Sequence, residues 1–399
     1  MVAAIRQAEW HAQFPEDYRW SYNVMLVLAV IPSGGAEVGE VDRVCRRLAG
    51  HVGDDERWFR EWRAMGDQVR ALAEEARELG DRRAAMGHYR RATSYYFAAE
   101  RFRFPKDDEA LDAYRAMVDC FRLSAELDDR YRVEYVDVPY EDTALPGIFV
   151  SAARSPGERT PAVLFMSGFD GNKEHNWFLG VEDLLARGVS VLSLDSPGVG
   201  EAVRFRGVSL RHDYEVAGSA AADWLQGRDD VDPERIGVLA LSLGGYYSSR
   251  SASMDPRFKA CAAWGAIWDY HRVWSERIEA AFAKQLPVPG EHLVWSTGTG
   301  STQEALQVLE GFRLADVVPR MKGAFLLVHG EDDQQVPVSD AHLLFEACGS
   351  PDKTLRIFTA EEGGAQHCQM DNLSIAVPEI NRWLADRLGA SATSSATSR

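Results

Sequence analysis

The sequence predicts an α/β fold with a mostly parallel sheet, preceded by a helical segment. Three observations carry this. From the start to about Leu127, apolar residues recur every three or four positions. Beyond that point, short and nearly continuous apolar runs alternate with amphipathic stretches, the mark of strands buried on both faces. The polar and glycine-rich residues gather directly after those runs, where ligands sit in parallel sheets.

In the helical segment, Ala85, Tyr89, Ala92, Tyr96 and Ala99 lie on one amphipathic face with Arg and Glu between them. Gly80 and Pro105 punctuate the helices. The segment is rich in aromatic residues, among them Trp20, Tyr22, Tyr95 and Tyr96. Most are expected to pack a helical core. Trp20, Tyr22 and Tyr96 are also candidate substrate contacts, because a lid uses the same residue types. A fixed repeat period is missing.

Period-two alternation begins at Arg132-Val-Glu-Tyr-Val-Asp-Val-Pro139 and predicts a half-exposed strand, with Leu145-Pro-Gly-Ile-Phe-Val150 as its hairpin partner. Six apolar runs follow, starting at Ala162, Val189, Ile236, Ala260, Phe325 and Leu355. The third of these, Ile236-Gly-Val-Leu-Ala-Leu241, ends abruptly at Ser242 and is followed by Leu-Gly-Gly. A strand, a sharp turn and a helix with a hydroxyl at the apex make a nucleophile elbow of the G-x-S-x-G kind. Here Ala240 replaces the first glycine, a mild departure because Ala is also small.

The elbow gains weight from what surrounds it. After the strand at Ala162 comes Ser167-Gly-Phe-Asp-Gly-Asn-Lys-Glu174, the loop expected to supply an oxyanion-hole N–H. The donors assigned are Phe169 and Leu243, the latter directly after the nucleophile. Asp170 is expected to point away from the oxyanion or to bind a polar group of the substrate. After the strand at Phe325, His329-Gly-Glu-Asp-Asp-Gln-Gln-Val-Pro337 places Asp333 as the acid, with Asp332 an adjacent alternative. After the last strand, Glu362-Gly-Gly-Ala-Gln-His367 carries the candidate base. His329 is read as a packing or turn residue. The order Ser242, Asp333, His367 is that of an α/β-hydrolase with an eight-stranded sheet. The turn Asp195-Ser-Pro-Gly-Val-Gly-Glu201 lacks dinucleotide spacing and is read as structural.

Bulk properties narrow the function. Lys and Arg number 44 against 61 Asp and Glu, a net charge of −17 with no basic cluster, which argues against nucleic acid as a partner. The five cysteines are scattered without a C-x-x-C pair, which predicts a reduced, cytoplasmic setting. Cys368 lacks ligand-spaced neighbours, so neither a metal nor another cofactor is expected. The apolar run from Val24 to Ile31 is too short to span a membrane, and the first residues do not form a signal peptide. The expected organisation is a helical lid domain over 1–130 and a hydrolase domain over 131–389. Within the latter, a cap insertion spans about 267–312, and 390–399 form a disordered tail. The insertion carries Trp268, Tyr270, Trp274 and Trp295, candidates for a large aromatic pocket.

Several motifs resemble one branch of the α/β-hydrolases. These are Phe165-Met-Ser-Gly-Phe-Asp-Gly-Asn-Lys-Glu174, Asp195-Ser-Pro-Gly-Val-Gly-Glu201, Leu241-Ser-Leu-Gly-Gly-Tyr246, Trp264-Gly and Gly363…His367-Cys. They are similar to the family of 2,6-dihydroxypseudooxynicotine hydrolase. That family also takes in fungal pigment-pathway chain-shortening hydrolases and fermentation-respiration switch esterase-like proteins. The resemblance implies a helical domain roofing the site, a homodimer and a Ser-Asp-His triad; an aromatic pocket built by the insertion would take an aromatic or polyketide-like small molecule. It also implies that the bond cleaved is an ester or a carbon–carbon bond beside a ketone. In the carbon–carbon hydrolases an acidic residue after the sixth strand approaches the substrate; Glu276 is the nearest match and Asp269 the next. The same triad also fits an acyltransferase or cyclase, and a peptidase. A non-catalytic binding protein on a hydrolase scaffold is the reading from a different class.

Overall fold

The computed structural model describes residues 13–280 and 290–390. The expected tail from 391 onward and the middle of the expected cap lie outside the described residues. The chain divides into two compact units.

The first unit runs to Tyr131 and also includes Trp274–Trp295 and Thr299–Ala305. Its helices are α1 (Tyr18–Ala29), α2 (Val38–Leu48), α3 (Asp55–Glu78), α4 (Arg82–Glu100) and α5 (Asp108–Glu126). Aspartates start four of them: Asp17, Asp54, Asp81 and Asp107 each accept a backbone N–H of the first turn. Gly80 ends α3 with a φ of 77°, the left-handed conformation that glycine adopts at little cost. The apolar faces meet in an aromatic interior where Trp20, Trp58 and Trp62 follow one another at 4.9 and 5.7 Å between ring centroids.

The second unit, from Arg132 to Val273 and from Leu306 onward with Ser296–Gly298 between, is built on one sheet. Its strands are β1 (Val133–Tyr140), β2 (Thr143–Val150), β3 (Thr160–Met166), β4 (Ser190–Leu194), β5 (Val231–Leu241), β6 (Phe258–Trp264), β7 (Ala324–Gly330) and β8 (Lys353–Phe358). They lie in the order β1-β2-β4-β3-β5-β6-β7-β8. β2 is antiparallel to both β1 and β4, and the pairings from β4 through β8 are parallel. β3, β4 and most of β5 and β6 are buried, which is why they read as unbroken apolar runs. β5 starts earlier than its apolar run, because Asp232, Pro233, Glu234 and Arg235 are extended but polar.

Register brings the carboxyl ends of the strands together. Met166 pairs with Ala240, Leu241 with Trp264, and Trp264 with Val328. The loops leaving β3, β5, β6, β7 and β8 therefore share one edge of the sheet.

Candidate active site

The elbow leaves β5 at Ser242, whose backbone has φ 60° and ψ −124°. A non-glycine residue held there stores strain on the order of 1–3 kcal/mol. The surrounding backbone enforces it. The Ser242 N–H is tied to the Trp264 carbonyl at 2.7 Å, and its carbonyl accepts from Gly245 at 2.8 Å. A Cβ on Gly245 would fall 1.7 Å from the Gly265 carbonyl oxygen, so only glycine lets the elbow helix, Leu243–Met254, sit this close to the turn after β6. A Cβ on Gly244 would lie 2.7 Å from that of Ala240. With alanine already at the crossing point, glycine at 244 becomes obligatory.

His367 lies in a short 3-10 turn after β8 and is 3% exposed. Its Nδ1 is 2.6 Å from Asp333 Oδ2 and its Nε2 is 2.8 Å from Ser242 Oγ. An ionised carboxylate only accepts, so Nδ1 carries a proton, and in the neutral ring Nε2 accepts from the serine hydroxyl. Asp333 is buried, and its other oxygen accepts from the Gln335 and Val336 N–H groups at 2.8 and 2.9 Å. Burial pushes this carboxyl up, but the His367 charge and hydrogen bond outweigh it, and the net shift is downward. Burial likewise pulls the His367 ring down, and the Asp333 charge reverses this, leaving it raised above 6.5. Of the two adjacent aspartates, Asp332 is exposed and its N–H meets the Ala365 carbonyl; Asp333 is the one that reaches His367.

The His367 loop is held by residues that sequence reasoning passed over. Gln369 Oε1 accepts from Trp264 Nε1 at 2.7 Å, and Asp371 accepts from the Gly364 N–H at 2.9 Å. Cys368 and Gln369 both have positive φ, at 51° and 50°. Cys368 is buried, with its thiol turned to the Trp264 carbonyl. His329 is a second buried imidazole on this network. Its Nδ1 accepts from the Ala266 N–H at 3.1 Å, so Nε2 is the protonated nitrogen and donates to the Val336 carbonyl at 3.0 Å. Burial holds its pKa down, so it stays neutral and ties the Asp333 loop to the turn after β6. Gln369 and Asp371 stand in no local motif, and their pairing with Trp264 and Gly364 leaves no signal in the sequence.

The loop after β3 crosses directly over the elbow. A Cβ on Gly168 would lie 2.8 Å from Ser242 Cβ and 2.9 Å from the Leu241 carbonyl, so the backbone at Gly168 lies against the serine. Phe169 is buried, its ring 6.0 Å from that of Tyr270. Leu243 opens the elbow helix, where the first N–H groups have no intrahelical acceptor. Asp170 is half-buried.

The remaining candidates have other engagements. Asp269 accepts the Arg272 N–H at 2.9 Å at the start of the helix Tyr270–Ala280 and pairs with Arg313 at 3.4 Å. The Trp268 N–H is bound by the buried Asp340, which also takes the Arg272 guanidinium. Trp274 is buried and Glu276 exposed, both in the helical unit. Tyr96 is 1% exposed and donates to Asp67 at 2.7 Å. No cluster of metal-ligating side chains occurs among the described residues.

Comparison with known proteins adds to this geometry. The model of the esterase FrsA-like family matches residues 29–288, and that of the prolyl oligopeptidase family matches residues 196–390. The 20-hydroxy-prefusarin hydrolase of Gibberella moniliformis is 31% identical over 94% of this chain and 97% of its own. The 2,6-dihydropseudooxynicotine hydrolase of Paenarthrobacter nicotinovorans is 30% identical over 61% of this chain and 62% of its own. A crystal structure of the 2,6-dihydroxy-pseudo-oxynicotine hydrolase superposes with a TM-score of 0.73 at 25% identity, covering 90% of this chain and 95% of that one.

Proposed function

The chain belongs to the esterase FrsA-like family of α/β-hydrolases, and from that premise we propose that Ser242, His367 and Asp333 cleave a carbonyl substrate through an acyl-enzyme. The hydrogen-bonded line from Asp333 Oδ2 through the His367 ring to Ser242 Oγ carries this reading.

Ser242 Oγ attacks the carbonyl carbon as His367 Nε2 takes its proton. Asp333 keeps the ring in the tautomer that accepts at Nε2 and stabilises the imidazolium that forms. The Phe169 and Leu243 N–H groups receive the oxyanion, a contribution of roughly 3–4 kcal/mol per donor where one has been removed. The tetrahedral adduct then collapses, and Nε2 returns the proton to the leaving group. For an ester that group is an alkoxide; for a carbon–carbon bond beside a ketone it is a carbanion, which needs conjugation. Water, deprotonated by the same nitrogen, releases the acid.

The substrate is an aromatic or polyketide-like small molecule. Support comes from relatives named as hydrolases of 20-hydroxy-prefusarin and 2,6-dihydropseudooxynicotine, which span or overlap the same chain. The match of residues 196–390 to prolyl oligopeptidases favours a peptidase as the second reading. One assay separates them: p-nitrophenyl esters, aromatic β-diketones and aminoacyl anilides are compared in water enriched in oxygen-18. Turnover of an ester or diketone with one label in the acid product supports the hydrolase. Turnover of anilides alone favours the peptidase. Failure of a fluorophosphonate to label Ser242, together with inactivity on every class, would sink both.

A further inference from the structure

The two glycine-rich turns that leave β3 and β4 are joined by a buried charge cluster outside the triad. Lys173, 2% exposed at its side chain, places Nζ 2.6 Å from Glu201, 2.7 Å from Glu174 and 3.1 Å from Asp195. Glu174 and Asp195 are fully buried. Asp195 also accepts the Lys173 backbone N–H at 2.7 Å and the Glu201 N–H at 2.8 Å. A Cβ on Gly200 would lie 2.0 Å from the Asp195 carboxyl carbon, so the second turn is wrapped against this carboxylate. On the other side, Ser193 Oγ donates to the Lys173 carbonyl at 2.8 Å and accepts from Asn176 at 2.9 Å. Ser167 Oγ meets the Asn172 carbonyl at 2.8 Å and Asn176 Oδ1 at 2.9 Å.

One ammonium thus serves three carboxylates, and every hydrogen bond named above ends on the loop between Ser167 and Asn176 or on its neighbour. That loop is the one whose Gly168 rests on Ser242. Burying charge is costly unless it is paired. Packing alone closes a turn without it, so this arrangement serves a loop whose position must be fixed. Burial, with the Asp195 and Glu201 carboxylates beside it, raises Glu174, and the Lys173 charge only partly offsets this.

We propose that Lys173 is a positioning residue for oxyanion stabilisation: gripped by Asp195, Glu201 and Glu174, it fixes Gly168 and Phe169 against Ser242. This rests on the reading that Phe169 donates to the oxyanion. Lys173 touches no reacting atom.

The test compares full-length wild type with Lys173→Met, Asp195→Asn and Glu201→Gln. Ester turnover is normalised to the Ser242 that a fluorophosphonate titrates, and affinity for an arylboronic acid reports how well the hole holds a tetrahedral adduct. For Lys173→Met the expected result is kcat per titrated site lower by about 10–100-fold, the scale of a displacement near 1 Å. KM should stay within about threefold, and boronate affinity should fall in step with kcat. Asp195→Asn should lie between this variant and wild type. Should Lys173→Met fail to fold, Glu201→Gln carries the test from the half-buried rim of the cluster, with a fall of about threefold in both readouts. Lowered melting temperature with kcat per site and boronate affinity unchanged would overturn the proposal and leave the cluster a fold determinant. A wild type that neither takes the probe nor turns over esters overturns the serine-hydrolase reading, and this inference with it.

Discussion

The loops at the strand ends and the aromatic interior of the helical unit both use residues that are costly to place, and they use them in opposite ways. In the helical unit several polar tips are tied to partners on neighbouring helices. Tyr95 donates to Glu40, Tyr96 to Asp67, and Trp58 to the Ala98 carbonyl, while the Trp62 and Tyr95 rings pack at a tilt 5.8 Å apart. At the strand ends the polar groups form a line that ends on a half-exposed hydroxyl. Asp333 and His367 are buried and committed, but Ser242 keeps surface open to solvent. The first arrangement consumes its hydrogen bonds in holding helices together. The second stops one step short, with an oxygen that has capacity to react. A residue's place beyond a strand end is therefore better evidence of chemistry than its type.

The strongest way to break this contrast is to remove the open hydroxyl. Ser242→Ala should lower kcat by about 10⁴-fold or more, as when other serine nucleophiles are removed. Its melting temperature should stay close to wild type, because the strained backbone is held by Trp264 and Gly245 rather than by the hydroxyl. Activity near wild type in that variant would place the chemistry elsewhere.

Next in size is Asp333→Asn, which keeps the shape and removes the charge. A loss of about 10⁴-fold in kcat is expected from the wrong ring tautomer. The pH profile sharpens the point. Asp333 raises His367 above 6.5, so the protonated ring is favoured and the neutral base appears only as pH rises. The acidic limb of kcat/KM in wild type should therefore lie above 6.5, and in Asp333→Asn it should move down. A limb that does not move would separate His367 from the carboxylate.

Gly168→Ala asks whether the loop over the elbow needs its close approach. The added methyl would meet Ser242 Cβ at 2.8 Å and the Leu241 carbonyl at 2.9 Å, so the backbone must retreat. A fall in kcat of about 10–100-fold with a smaller change in KM is expected from displaced donors. Equal changes in both would instead mean that the substrate has lost room.

The same contrast explains what was legible in the sequence. β3 to β7 declared themselves because parallel strands buried on both faces must be apolar, β1 by its two-residue alternation, and the chemistry-bearing loops follow strand ends in chain order. Motif register pointed to Asp333 and left Asp332 as the alternative, since only the turn decides which carboxyl faces inward. The ties of Trp264 to Gln369, His329 to Ala266 and Lys173 to Asp195 were not legible. They join residues 105, 63 and 22 positions apart, and no periodicity encodes such pairs. Tyr96 carried two readings, because an aromatic ring at helical spacing reads the same in a core and in a lid.

Tyr96→Phe is accordingly the smallest of these effects and a direct probe of the contrast. The ring covers Gly66 of α3, where a Cβ would approach it to 2.9 Å, and the hydroxyl reaches an Asp67 that is otherwise exposed. Removing the hydroxyl deletes a hydrogen bond that water can replace at the aspartate, so a loss of about 0.5–1.5 kcal/mol in unfolding free energy is expected. The ring itself stays in place, so kcat and KM should both remain within twofold of wild type, by the ~0.4 kcal/mol that separates noise from a contact. A rise in KM with stability unchanged would reverse the assignment, because it would mean that the hydroxyl meets substrate rather than helix α3. Denaturant melts and steady-state kinetics on one preparation distinguish the two outcomes.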